Sequence, residues 1–120
     1  MAIILYVEDH PPAQMLMEAI ISDMTAHELH VAGSGQEAEI LTHNTPPDLY
    51  ILDLDLPDTD GITLAKTLTD LHSVPVILVS AYAESVDDVT KQDVIHYYLA
   101  KPLDPDYVTE TIQRALARSK

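Results

Sequence analysis

Two stretches of this chain, "LYILD" at 49–53 and "VPVILVS" at 74–80, are nearly unbroken apolar runs too short for ordinary helices. A β-rich run without polar alternation has no face to turn toward water. It belongs in a sheet covered on both sides, the situation of parallel strands under helices. "IILYV" (3–7) is a third such run, and "LHVA" (29–32) and "HYYLA" (96–100) read as two more strands. The segments between them carry helical signals. Pro11 and Pro12 suit a first turn, where a missing N–H costs little, and Ala13, Leu16, Ile20 and Met24 then share a face. Ser34 with Glu37 forms a capping box ahead of Ala38 and Leu41. Leu64, Ala65, Leu68 and Leu71 make a third stripe, and Asp104-Pro105 opens a last helix carrying Val108, Ile112, Ala115 and Leu116. The stretch 84–94 is the weakest helix, with only Val86, Val89 and Val94 to bury. Five strand–helix units predict a doubly wound α/β domain, (βα)5, spanning 1–120.

Composition narrows the chemistry. A 120-residue chain with 47% hydrophobic residues can bury a core, and no apolar run is long enough to span a membrane. The absence of cysteine excludes disulfides and thiolate zinc sites and fits a cytoplasmic protein. Twenty acidic against six basic residues give a net charge of −14, a field that repels phosphate backbones and argues against direct nucleic-acid binding.

An acidic surface does not explain four aspartates in "YILDLDLPDTDG" (50–61). Parallel α/β sheets bind ligands at the carboxyl ends of their strands. Here the first strand ends in Glu8-Asp9, the third in Asp53 and the fourth in Ser80, while Lys101-Pro102 follows the fifth. If the strand order is 2-1-3-4-5, one of the orders of doubly wound sheets, Glu8, Asp9 and Asp53 would converge, with Ser80 and Lys101 facing them. Three carboxylates make an oxygen site for a hard cation, and a lysine and a hydroxyl can hold phosphoryl oxygens. A calcium loop fails, because Gly61 as its sixth position puts Leu56 first and Thr67 twelfth. Asp58 and Asp60 read as turn and helix-cap residues. The six histidines are too scattered for a zinc site, and His10 reads as a turn residue flanking the acids.

"YVEDH" (6–10), "PDLYILDLDLPDTDG" (47–61), "PVILVSA" (75–81) and "YLAKP" (98–102), in that order, resemble the receiver domain of bacterial two-component response regulators over the whole chain. The resemblance implies the flavodoxin-like strand order 2-1-3-4-5. It implies that Asp53 is the phosphoacceptor, taking a phosphoryl group from a sensor histidine kinase or a phosphotransfer protein to give an aspartyl phosphate. Glu8, Asp9, Asp53 and the backbone carbonyl of Asp55 are then the ligands of Mg²⁺, or of Mn²⁺ in its place. Lys101 and Ser80 bind the phosphoryl group, and Ser80 and Tyr98 form the switch. Pro57 and Gly61 shape the loop after the acceptor, and a cis Lys101–Pro102 bond is expected. Such a protein promotes its own phosphorylation and dephosphorylation without separate substrate turnover. It signals to a downstream protein or output domain through the surface of residues 84–118.

Two departures stand out: "QDVIHYY" replaces the small Gly-Ala pair usual before the fifth strand, and Asp55 puts a carboxylate where an uncharged group is commoner. Two residues past Asp53, the Asp55 side chain would point into the site if the strand continued. Two rival readings exist. Asp53-Leu54-Asp55 also resembles the nucleophile loop of haloacid dehalogenase-type phosphatases, but the acidic pair lies upstream of it and position 57 is proline. A receiver-like docking module without a phosphorylation cycle would have no need of the full acid, serine and lysine set.

Overall fold

A computed structural model describes residues 1–81 and 94–118. The elements run β1 (Ile3–Val7), α1 (Pro11–Met24), β2 (Glu28–Ala32), α2 (Gly35–Asn44), β3 (Leu49–Asp53), α3 (Gly61–Leu71), β4 (Val76–Ser80), β5 (Tyr97–Ala100) and α4 (Pro105–Arg118). The expected helix at 84–94 lies outside the described residues except for Val94, so α4 is the helix that the sequence places fifth. All strands are parallel, in the order β2-β1-β3-β4-β5. This is a flavodoxin-like α/β sheet, as expected. Among the described residues no helix is long and apolar enough to cross a membrane.

The two continuous apolar runs become the central strands. Every residue of β3 and β4 is buried, which explains why neither alternates. Side-chain parity divides each strand between two cores. Ile4, Tyr6, Leu49, Ile51, Ile77, Val79 and Leu99 pack against α1 and α4 on one face. Leu5, Val7, Tyr50, Leu52, Val76 and Leu78 pack against α2 and α3 on the other. Each such fully buried aliphatic side chain contributes about 1.5–3 kcal/mol.

The helix starts follow their local chemistry. Ser34 Oγ accepts from Glu37 N at 3.2 Å, although the Glu37 carboxylate reaches back to Gly33 N rather than to Ser34 N. Asp60 caps α3, accepting from Thr63 N and from Thr63 Oγ1, both at 2.8 Å. Asp104 Oδ1 accepts from Asp106 N at the start of α4. Two helix faces are corrected. On α1 the buried residues are Met17, Ile20 and Ile21, whereas Leu16 and Met24 are exposed. Met15, Leu16 and Met17 are consecutive, so periodicity permits faces about 100° apart. The sheet selects the face that also buries Ile21. On α3, Leu71 is exposed at the helix end. The departure before β5 has a structural role: His96 Nδ1 accepts the backbone N–H of Val76 at 3.2 Å, and His96 N donates to Val76 O at 3.0 Å. The histidine thus occupies a β4 donor at the sheet's lower edge.

Candidate phosphoryl-transfer site

β1 and β3 are hydrogen-bonded neighbours, so the residues at their carboxyl ends meet at one edge of the sheet. Glu8, Asp9 and Asp53 each offer one carboxylate oxygen, all within 4.8 Å of one another. Glu8 and Asp53 are buried and Asp9 is exposed. Lys101, just past β5, reaches across β4 to both buried acids: its Nζ lies 2.8 Å from Glu8 Oε1 and 2.9 Å from Asp53 Oδ2. The Lys101–Pro102 peptide bond is cis, as expected. Lys101 N donates to Ser80 O at 3.0 Å, tying the lysine's backbone to the end of β4.

Three carboxylates against one ammonium leave two negative charges, which a divalent cation matches, and an all-oxygen donor set suits Mg²⁺ or Mn²⁺. The residues therefore fit the ion that the sequence resemblance implies. Burial pushes the Asp53 carboxyl above its ordinary 3.8, and neighbouring Glu8 pushes the same way while Lys101 opposes. Burial works against the Lys101 charge, but its hydrogen bonds to Glu8 and Asp53 prevail and raise it above 10.5.

The other expected residues are placed around this cluster. Ser80, the last residue of β4, is buried, and Asp53 pairs in register with Val79 beside it. Tyr98 is half-buried and pairs with Leu78, two residues before Ser80 and on the same face, so serine and tyrosine share one side of the sheet. Asp55 N donates to Asp53 Oδ1 at 3.2 Å. The side chain of Asp55 is not placed by strand parity, because β3 ends at Asp53; the residue is exposed. Pro57 lies exposed in the following loop. Gly61 closes that loop, its N–H donating to Leu54 O at 2.9 Å.

Gly61 is required by proximity. A Cβ there would stand 2.5 Å from Asp53 O and 2.6 Å from Leu78 Cδ1. The first of these is the backbone of Asp53 and cannot step aside. Gly61→Ala is expected to destabilise the fold by about 2–3 kcal/mol in urea denaturation, at the upper end of overpacking costs; an unchanged midpoint would mean that the loop yields freely.

Two residues of the site, Tyr6 and Gln14, carried no expectation, and Asp58, read as a turn or helix-cap residue, makes contacts beyond that reading. Tyr6 is fully buried, and its hydroxyl donates to Glu8 Oε1 at 3.3 Å. The Gln14 side chain donates to Glu8 O from α1. Asp58 accepts from Gly35 N at 2.8 Å and Gln36 N at 2.9 Å, fastening the loop after Asp53 to the start of α2. Those two backbone N–H groups hold the Asp58 carboxyl below its ordinary range. Tyr6 was findable, since it lies two residues before Glu8 on the same face of a strand. Asp58 was not, because its partners lie more than twenty residues away in sequence.

Two buried hydroxyls, Tyr6 beside these acids and Tyr50 on the opposite face, set an alkaline limit. Burial raises Tyr6 and Tyr50 above the ordinary 10.0, and for Tyr6 the Glu8 and Asp53 charges add to it. A raised folded value means that the folded state holds the proton more tightly than the unfolded chain. The corresponding stability is present below about pH 10 and is lost as pH climbs through the folded value. Lys101 acts in the same direction above 10.5. Circular dichroism with tyrosinate absorbance should show both buried tyrosines ionising together with unfolding. Full ionisation with the sheet signal intact would contradict this.

Comparison with known proteins agrees with the geometry. Residues 4–113 match the response regulator receiver domain family. Transcriptional regulatory protein BaeR of Escherichia coli O6:H1 is 33% identical over 119 residues, covering 98% of this chain and 49% of that protein. Protein PilH of Pseudomonas aeruginosa is 29% identical over 121 residues, covering 98% of this chain and 99% of that protein. A crystal structure of a CheY-like response regulator receiver domain protein from Methanospirillum hungatei JF-1 matches with a TM-score of 0.88 at 24% identity, over 98% of this chain and 94% of that one, a likeness of fold. The chain spans about half the length of the first curated relatives it matches. The haloacid dehalogenase-type reading is not favoured: the match is to the receiver family.

Proposed function

The chain belongs to the response regulator receiver domain family, and from that premise we propose that Asp53 takes a phosphoryl group from a histidine kinase or phosphotransfer protein, with Mg²⁺ in the acidic cluster. The observation that carries this assignment is the pairing of Lys101 with Asp53 at 2.9 Å, within 4.8 Å of two further carboxylates. A nucleophilic carboxylate, an ammonium for the transferring oxygens and an oxygen-rich cation site then stand together.

Glu8, Asp9, Asp53 and the Asp55 carbonyl are the residues that would hold the ion. When bound, it supplies positive charge against the phosphoryl oxygens. Asp53 attacks the phosphorus of a phosphohistidine: a P–O bond forms, the P–N bond breaks, and the imidazole leaves with the electron pair and is reprotonated. Lys101 follows the charge as it moves onto the phosphoryl oxygens, and Ser80 donates a hydrogen bond to the product. Tyr98, beside Leu78 on the Ser80 face, carries the change to the surface. There a groove of 320 Å³ is lined by His96, Tyr97, Tyr98, Tyr107 and Arg114, aromatic and cationic chemistry suited to a protein partner. The part of this output surface at 84–93 lies outside the described residues. Residues 1–120 act as one receiver domain in this reading.

Intact-protein mass spectrometry after treatment with acetyl phosphate tests the assignment. One labile phosphate is expected with Mg²⁺ and none with EDTA, because the site's net negative charge otherwise repels a dianionic group. Equal labelling of Asp53→Asn would remove the proposal.

A further inference from the structure

Glu8 is 1% exposed, and its carboxylate is held by three donors. Oε1 accepts from Lys101 Nζ at 2.8 Å and from Tyr6 Oη at 3.3 Å, while Oε2 accepts from His10 N at 3.2 Å. These donors differ in permanence. The His10 N–H is backbone at the start of α1, and Tyr6 is a fully buried strand residue whose ring is fixed in the core shared by α1 and α4. Lys101 is the shared one: its side chain is 28% exposed, and the same ammonium also pairs with Asp53.

We propose that Tyr6 is a positioning residue for the cation site: its hydroxyl holds Glu8 Oε1 in place when Lys101 leaves that oxygen for a phosphoryl group. The inference rests on the phosphoacceptor reading above and assigns a residue that the reading does not use. Its physical basis is the cost of leaving a buried carboxylate oxygen without a donor. While Lys101 occupies Oε1, the tyrosine bond is long, as expected where two donors share one oxygen. Once the ammonium turns toward the phosphoryl oxygens, the hydroxyl is the donor that remains to that oxygen among those described. Without it, Glu8 either keeps the lysine, opposing transfer, or reorients, loosening the cation site. Partners that orient a metal ligand typically govern about 10–100-fold in metal affinity.

Tyr6→Phe removes the oxygen and keeps the buried ring. Tyr50→Phe supplies the comparison, because Tyr50 is equally buried on the opposite face, with its hydroxyl on Thr42 Oγ1 and Leu68 O, away from the acids. Isothermal titration calorimetry with MgCl₂ in the presence of beryllofluoride, which stands in for the phosphoryl group and draws Lys101 away from Glu8, is expected to show about tenfold weaker binding in Tyr6→Phe and wild-type binding in Tyr50→Phe, whatever each does to the melting temperature. The uptake rate from acetyl phosphate at saturating Mg²⁺ should also fall in Tyr6→Phe alone. Wild-type Mg²⁺ affinity in Tyr6→Phe, or equal losses in both variants, would overturn the positioning role. Absence of Mg²⁺ binding in the wild-type chain would overturn the cation site itself, and this inference with it.

Discussion

Lys101→Met should lower the rate of phosphoryl uptake from acetyl phosphate by at least about 100-fold, the usual scale for losing a fixed group that stabilises transition-state charge. Among the described residues, Lys101 is the cation that pairs with both Glu8 and Asp53. Methionine keeps the stem's packing and deletes the charge, so the two buried carboxylates face each other uncompensated. Removing one member of a buried ion pair costs about 3–5 kcal/mol in closed sites. Here roughly 2 kcal/mol is expected, because the lysine is partly solvated and Asp53 can take up a proton. That proton gives the variant a signature. Burial already raises the Asp53 carboxyl and the lysine opposes the rise; without it the value moves further up, and the nucleophilic carboxylate form appears only at higher pH. The acid limb of the pH–rate profile should therefore shift upward. A variant with wild-type rate and an unmoved acid limb would show that Lys101 is a structural partner only.

Asp9→Asn is expected to separate function from stability. Asp9 is the exposed member of the cluster and makes no ion pair among those described. In the metal-free chain it adds a like charge beside two buried carboxylates, so its neutralisation should leave the fold unchanged or more stable by up to about 1 kcal/mol. The same change removes an oxygen ligand of the hard-cation set, and Mg²⁺-dependent uptake should fall by more than tenfold. Calorimetry and the acetyl phosphate assay check both halves. A clear loss of stability without loss of Mg²⁺ binding would reverse the assignment.

The strands were legible because burial on both faces writes itself as continuous apolar runs: β1 and β3 have the predicted bounds, and β4 and β5 are shortened only at their starts. The convergence of Glu8, Asp9, Asp53 and Lys101 was legible once the strand order came from the family resemblance, since spacing alone does not place β1 beside β3. Faces of α1 were not, because three consecutive apolar residues leave the rotation to the sheet. Side-chain bonds that bridge distant segments, such as Asp58 to the start of α2, leave no local pattern. Tyr6 shows an intermediate case: its position was plain, but a tyrosine in an apolar strand reads as core until its hydroxyl is seen to meet Glu8.

Borohydride reduction of the phosphorylated chain, followed by peptide mass spectrometry, tests the central claim most directly. Acyl phosphates are reduced where free carboxylates are not, so the acceptor aspartate is converted to homoserine and marked in place. Homoserine at position 53 and at no other aspartate is the expected result. Conversion at Asp9 or Asp55, with Asp53 unmodified, would contradict the account.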